Sequence, residues 1–264
     1  KIRRGMFRTP SAAFPMTLGY DVSGVVESVD ATVESFAPGD EVFAYLSLQR
    51  GGGYAEYAIV LEAEAAKKPA SIDHTHAAGV PLAALTAWQA LIDHAGMKEG
   101  DTVLIHGGAG GVGHFAVQIA KAKGATVITT ASERNHEYLR SIGADVVVDY
   151  RTQRFEDFAS GVDIVLDVIG GETQDRSLAA LKPGGYLVSI VQPPAADKLD
   201  QAGVNGSAML VKPSGEQLAT IAAMIDAGEI RPHVSAKFAL EDAAAAHEAS
   251  EAGADRGKIV LIVK

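Results

Sequence analysis

The segment His106-Gly107-Gly108-Ala109-Gly110-Gly111-Val112-Gly113 is where residue types and spacing most clearly point to chemistry. Gly108, Gly110 and Gly113 satisfy G-x-G-x-x-G, a turn that cradles a dinucleotide pyrophosphate. So tight a turn needs residues without a Cβ, and so does close approach of backbone to phosphate. A helix opening directly after it offers free N–H groups and the positive end of its dipole to an anion. Gly108, Ala109, Gly110, Gly111, Val112 and Gly113 are therefore expected to hold a pyrophosphate. The pattern alone is weak, and a glycine-rich turn without a ligand competes with it. The flanks argue against that reading. Thr102-Val103-Leu104-Ile105 is a near-continuous apolar run, as a strand buried on both faces requires. Val112, Phe115 and Ile119 then fall on one helical face.

The next strand bears on which dinucleotide binds. NAD sites place an acid about twenty residues on, against the ribose hydroxyls. Here the strand ends Thr129-Thr130-Ala131-Ser132-Glu133-Arg134-Asn135. Hydroxyl and guanidinium donors suit a 2′-phosphate, so Ser132, Arg134 and Asn135 are expected to bind one. Glu133 opposes this if it faces inward. Read as the first residue of a helix capped by Ser132, it faces solvent, and NADP(H) is the expected cofactor. Ligands of parallel sheets sit at the carboxyl ends of the strands. Val168, Ile169 and Gly170 after the fourth strand, and Ile190 and Val191 ending the fifth, should line the nicotinamide path.

Three stretches of the chain must position these residues. Residues 1–80 carry short strand-like runs over 22–29, 40–45 and 54–60, with turn signals at Pro38-Gly39-Asp40 and Gly51-Gly52-Gly53. From about residue 72 the period becomes helical, with Ser71 or Asp73 as a cap and Leu85, Trp88 and Ile92 on one face. Residues 81–227 then alternate. Strands are expected at 102–105, 126–130, 146–148, 163–167 and 186–191, with helices near 111–123, 133–142, 152–159 and 172–181. One more strand over 204–211 and one more helix over 214–227 complete this part. Such βαβ alternation means a doubly wound parallel sheet. Residues 228–264 return to mixed character.

Composition narrows the function. The 264 residues are 47% hydrophobic and 21% charged, enough for a sizeable core. A net charge of −10 repels phosphate backbones and anionic lipid, so nucleic acid and membrane surfaces are not expected partners. There is no cysteine, which removes disulfides, thiolate nucleophiles and zinc–thiolate sites, and a cytoplasmic setting is expected. His74 and His76 form the nearest thing to a metal pair, with no third ligand, and no metal site is expected. The basic start Lys1-Ile2-Arg3-Arg4 lacks a following apolar core, and Lys1 is not methionine. The natural start is expected to lie upstream.

Several segments in order resemble the zinc-free, quinone oxidoreductase-like branch of the medium-chain dehydrogenase/reductase superfamily. Leu18-Gly19-Tyr20-Asp21-Val22-Ser23-Gly24 is similar to its L-G-x-D-x-S-G segment, and Phe36 to Val42 to its F-x-x-G-D-x-V turn. His106 to Gly113 is similar to its H-G-G-A-G-G-V-G loop at every position, and Ser141 to Asp145 and Gly257 to Val260 also fit. The resemblance implies a Rossmann domain packed on a GroES-like β-rich domain, N-terminally incomplete, with the active site between them. Pro81 to Trp88 resembles the helix that reaches the nicotinamide, which implicates Thr86. By the same analogy Tyr150 lies near the adenosine, and Arg256 and Lys258 of the returning tail close over the cofactor. Tyr20 stands where zinc-dependent relatives have a ligand histidine; Tyr20 and Asp21 are the catalytic candidates.

Without a Lewis acid, conjugated acceptors are the natural substrates, because charge from hydride addition spreads to a distant oxygen. The implied activity is NADPH-dependent reduction of a quinone or an α,β-unsaturated carbonyl. An enoyl-thioester reductase of the same superfamily, and an NADPH-binding redox sensor or structural protein with little turnover, stay open. A homodimer is expected, with Ala208-Met209-Leu210-Val211 pairing at an edge.

Overall fold

A computed structural model describes residues 15–253 and 256–263. Its centre is a six-stranded parallel sheet of β4 (Thr102–Ile105), β5 (Thr126–Ala131), β6 (Val146–Asp149), β7 (Val162–Asp167), β8 (Leu181–Ser189) and β9 (Asn205–Ala208). Their order is β6-β5-β4-β7-β8-β9, so the direction of winding reverses between β4 and β7. That switch point is where a doubly wound sheet opens a crevice at its carboxyl edge.

Alternation along each strand feeds two cores. Val103 and Ile105 of β4, with Ile164 and Leu166 of β7, pack on one face under helices α2 (Pro81–Trp88), α3 (Gly113–Ala122) and α7 (Gly215–Asp226). Leu104, Val148, Val165 and Leu187 point the other way, onto Phe155 and Leu178. Burial on both faces explains why these strands read as continuous apolar runs.

A three-stranded antiparallel sheet flanks this layer: β1 (Asp21–Val25), β2 (Glu41–Tyr45) and β3 (Ala65–Lys67). In the β1–β2 ladder Asp21 faces Tyr45 and Ser23 faces Phe43. The tail adds a parallel pair, β10 (Val234–Ala239) and β11 (Lys258–Ile262), with helix α8 (Ala243–Glu251) between them. Asp73 caps α1 (His74–Ala78), accepting from His76 N–H at 2.8 Å, and Ser214 caps α7, accepting from Gln217 N–H at 3.2 Å.

Several local expectations are corrected. Residues 54–60 form no strand; Tyr57 and Ile59 stand exposed in an irregular stretch, and the strand comes later, as β3. Residues 152–159 make only a short 3₁₀ turn at Phe155–Asp157, and Phe155 and Ala159 are the residues buried there. The strand expected over 204–211 stops at Ala208. Ser132 does not cap through its hydroxyl, which instead accepts from Asn135 Nδ2 at 3.3 Å, and the first turn there is 3₁₀ (Glu133–Asn135) before α4 (His136–Ser141). The basic start at Lys1–Arg4 lies outside the described residues.

Candidate active site

The glycine loop leaves β4 through Gly107, whose φ of +62° belongs to a region that side chains avoid. A Cβ on Gly113 would lie 2.7 Å from Gly108 Cα and closer still to the Gly107 carbonyl oxygen. Gly110 and Gly111 differ. Their Cβ positions meet the Gly107 oxygen at 3.2 Å and the Lys258 stem at 3.3 Å, on the side that opens to a cavity. Gly113 is thus required by close packing within the turn, whereas Gly110 and Gly111 keep a cradle free for a ligand.

His106 anchors the loop from beneath. Ser177 Oγ donates to Thr173 O at 2.6 Å, so its lone pair accepts from His106 Nε2 at 2.8 Å. Nδ1 then accepts from Thr130 Oγ1 at 3.2 Å, and that oxygen accepts Gly107 N–H at 3.1 Å. The imidazole is therefore a neutral strut joining β4, β5 and α5 (Gly171–Ser177). Burial pushes its pKa down to about 4, against the opposing pull of Asp167. Asp167, fully buried at the end of β7, shapes the facing loop. One oxygen accepts from Ile169 and Gly170 N–H at 2.9 and 2.8 Å, and the other from Gln174 Nε2 and Ser189 Oγ at 2.9 and 2.8 Å.

A cleft of about 540 Å³ lies between the three-stranded sheet, α2, the carboxyl ends of the parallel strands and the tail. It joins a smaller cavity of about 290 Å³ over Gly107, Gly110, Gly111 and Val168. Leu82, Val112, Ile190 and Lys258 line both. Lys258 Nζ reaches Asp21 Oδ2 at 3.3 Å, and Asp21 Oδ1 accepts Leu82 N–H at 2.6 Å in the first turn of α2. Asp21 therefore ties β1, α2 and β11 together, with both oxygens engaged. Thr86 also lines the cleft, but its hydroxyl donates back to Leu82 O at 2.6 Å. The tail rests on the loop through Gly257 N–H to Ala109 O at 2.9 Å.

The remaining sequence candidates fall in other places. Ser132 and Asn135 are buried at the end of β5, and Arg134 beside them is exposed. Tyr150 follows β6, its N–H on Ala131 O at 3.4 Å, with its side chain exposed. Arg256 lies over the Tyr138 ring at 4.9 Å. Gly170 turns with φ +79°, while Ile169 and Val191 face outward. Tyr20 lines the cleft with its hydroxyl pKa raised by burial. His74 is engaged by Ser23 Oγ at 2.8 Å and Glu41 Oε1 at 3.1 Å, and His76 by Asp73 Oδ1 at 2.6 Å. Among the described residues no three His, Cys, Asp or Glu side chains gather as a metal site. Tyr45 and Tyr54 line the cleft without having been anticipated, because their facing depends on how β1, β2 and the loop after Gly53 pack.

A Rossmann sheet with an open glycine loop at its switch point, leading into a cleft under a second β-rich unit, is the architecture of a dinucleotide-dependent oxidoreductase. Comparison with known proteins agrees. An alcohol dehydrogenase GroES-like domain matches residues 1–70, and a zinc-binding dehydrogenase family matches residues 142–261. The chain is 36% identical to the NAD(P)H oxidoreductase RTN4IP1, mitochondrial, of Danio rerio, across 95% of this chain and 73% of that protein. It is 35% identical to the NADPH-dependent alkenal/one oxidoreductase, chloroplastic, of Arabidopsis thaliana, across 99% and 67%. The structure of Escherichia coli quinone oxidoreductase complexed with NADPH superposes with a TM-score of 0.88 at 29% identity, covering 99% of this chain and 86% of that one. The chain belongs to the quinone oxidoreductase-like family of the medium-chain dehydrogenase/reductase superfamily.

Proposed function

We propose that this chain reduces quinones or α,β-unsaturated carbonyl compounds with NADPH and without zinc. The observation that carries the reading is the junction of the two cavities. The cradle at Gly110 and Gly111 leads across Leu82, Val112 and Ile190 into the cleft, so one extended dinucleotide and one flat acceptor fit end to end. The open face of the loop, the α3 N-terminus and Lys258 suit a pyrophosphate. When bound, NADPH supplies the hydride. The chain's own residues position and desolvate: Leu82, Val112 and Ile190 exclude water, while His106 and Asp167 hold the loops on either side of the crevice. Ser132, Arg134 and Asn135, with Tyr150 alongside, are assigned to the adenosine 2′-phosphate, and Arg256 and Lys258 to closing the tail over the cofactor. Zinc independence is supported by the absence of cysteine and by the partners that engage His74 and His76. The names of the relatives, an alkenal/one oxidoreductase and a quinone oxidoreductase, support the acceptor class.

The reading divides the chain at residues 80 and 227, and joins 228–264 to the β-rich unit through the Asp21–Lys258 pair. It makes the protein a dimer through the edge at β9, where Leu210 is exposed beyond Ala208. Among the described residues no helix is long and apolar enough to cross a membrane. The Danio rerio and Arabidopsis thaliana relatives carry organelle labels, so the cytoplasmic assignment rests on the cysteine-free composition.

The test is fluorescence titration with NADPH beside NADH, followed by NADPH oxidation with a quinone and an enone. Tight NADPH binding, weak NADH binding and acceptor-dependent oxidation are expected. NADPH binding with no turnover on either acceptor would refute the enzymatic reading in favour of a sensor.

A further inference from the structure

The polar groups that line the cleft are mostly committed elsewhere. Asp21 has both oxygens engaged, Lys258 is paired with it, and the Thr86 hydroxyl donates to its own helix. Three phenols remain, Tyr20, Tyr45 and Tyr54, with His247 at the α8 side. Tyr54 lies toward that side, its ring 5.9 Å from His247. Tyr20 is only half-buried and packs against Gly51. Tyr45 differs from both. The residue is 1% exposed and lines the cleft, yet its hydroxyl has no hydrogen-bond partner among the described residues and is not one of the polar atoms wholly closed off from solvent. A buried tyrosine hydroxyl ordinarily finds a partner, so one left open at the floor of a cavity is available to a ligand.

Backbone register fixes its aim. Tyr45 pairs directly with Asp21 across the β1–β2 ladder, so the two side chains stand on the same face of the sheet, toward α2 and Lys258. Burial, and after it the Asp21 carboxylate, push the Tyr45 pKa up, which keeps the group a neutral O–H donor.

We infer that Tyr45 donates the hydrogen bond that stabilises the acceptor's carbonyl oxygen as hydride arrives. The inference rests on the hydride-transfer reading above. The hydride, released as a C–H bond of the reduced nicotinamide breaks and leaves that ring oxidised, brings two electrons to the conjugated acceptor; on an enone it forms a new C–H bond, and the π electrons move to the oxygen. The oxyanion is stabilised by the Tyr45 O–H. Water entering the cleft supplies the proton that completes the saturated ketone or hydroquinone, so Tyr45 ends the turnover as the phenol.

The experiment compares the full chain with Tyr45→Phe and, as a control, Tyr57→Phe in the exposed loop. Melting temperature, NADPH affinity by fluorescence, and steady-state kinetics with 3-penten-2-one and with 1,4-naphthoquinone are measured. Loss of one oxyanion donor is expected to lower kcat for the enone about 100-fold, with KM and NADPH affinity within about twofold. The loss should be smaller for the quinone, because a hydroquinone anion is the weaker base and gains less from the donor. A merely structural role would lower both rates equally. Should Tyr45→Phe fold poorly, 3-fluorotyrosine at position 45 keeps shape and hydroxyl while strengthening the donor, and enone kcat is then retained or raised. Unchanged kcat in Tyr45→Phe, an equal loss on both acceptors, or a fall in enone kcat with the fluorinated residue overturns the inference alone. A wild-type chain without turnover on either acceptor overturns the hydride-transfer reading with it.

Discussion

Gly113→Ala tests whether the loop is shaped by packing within the turn rather than by glycine flexibility in general. The new methyl would sit 2.7 Å from Gly108 Cα, short of ordinary van der Waals contact by about 0.7 Å, and nearer still to the Gly107 carbonyl oxygen. Both obstacles are backbone, held by Gly107 N–H on Thr130 Oγ1 and Gly108 N–H on Thr130 O at 3.0 Å. The turn must open, and overpacking of this kind costs about 1–3 kcal/mol. Each kcal/mol lowers the melting temperature of a chain this size by about 2–4 °C. Opening the turn also moves the N–H groups that we propose face the pyrophosphate, and losing about 1.5–3 kcal/mol from one charge-assisted bond weakens NADPH binding by about 10- to 100-fold. Gly110→Ala is the internal comparison, since its methyl meets only the Gly107 oxygen, at 3.2 Å. Differential scanning fluorimetry and NADPH fluorescence titration read both effects. A Gly113→Ala protein with wild-type melting and affinity, or a Gly110→Ala protein damaged equally in melting, refutes the argument.

Two further outcomes follow from the same contacts. His106 and His114 are buried with pKa values pushed down to about 4, so between about pH 6.5 and pH 4 the unfolded chain binds protons that the fold does not. Stability should be flat above pH 7 and should fall as pH drops from about 6.5, by up to about 1.4 kcal/mol per pH unit for each histidine. Urea unfolding at pH 7.5, 6 and 5 measures it, and an equal midpoint at all three contradicts the neutral-strut assignment. Asp21→Ala removes the acceptor for Leu82 N–H in the first turn of α2 and unpairs Lys258, at about 0.5–2 kcal/mol for the cap alone. Asp21→Asn keeps an acceptor and should melt nearer to wild type; identical melting of the two variants would show that the cap is immaterial.

The central strands of the parallel sheet are legible because they are buried on both faces. Thr102–Ile105 and Val162–Asp167 leave few alternatives to a strand, and the turn chemistry of Gly107 to Gly113 is local. The antiparallel part was read less well. The alternation over 54–60 looks like a strand, yet it finds no ladder partner among the described residues and stays irregular. Ser132 has the residue type of a cap, but its hydroxyl serves Asn135 instead, a choice made by packing at the end of β5.

Local stereochemistry and period thus suffice for the successive strand–helix units and for the glycine loop, because each βαβ unit is written within about thirty contiguous residues. The cleft is different. Asp21, Tyr45, Leu82, Ile190 and Lys258 come from five separate stretches, and their meeting depends on the β1–β2 register, the N-terminus of α2 and the return of β11. Sequence spacing carries no record of such long-range distances. For that reason Asp21, a catalytic candidate by sequence, is seen in the fold to tie β1, α2 and β11, while only tertiary packing shows Tyr45 lining the cleft with no hydrogen-bond partner for its hydroxyl among the described residues.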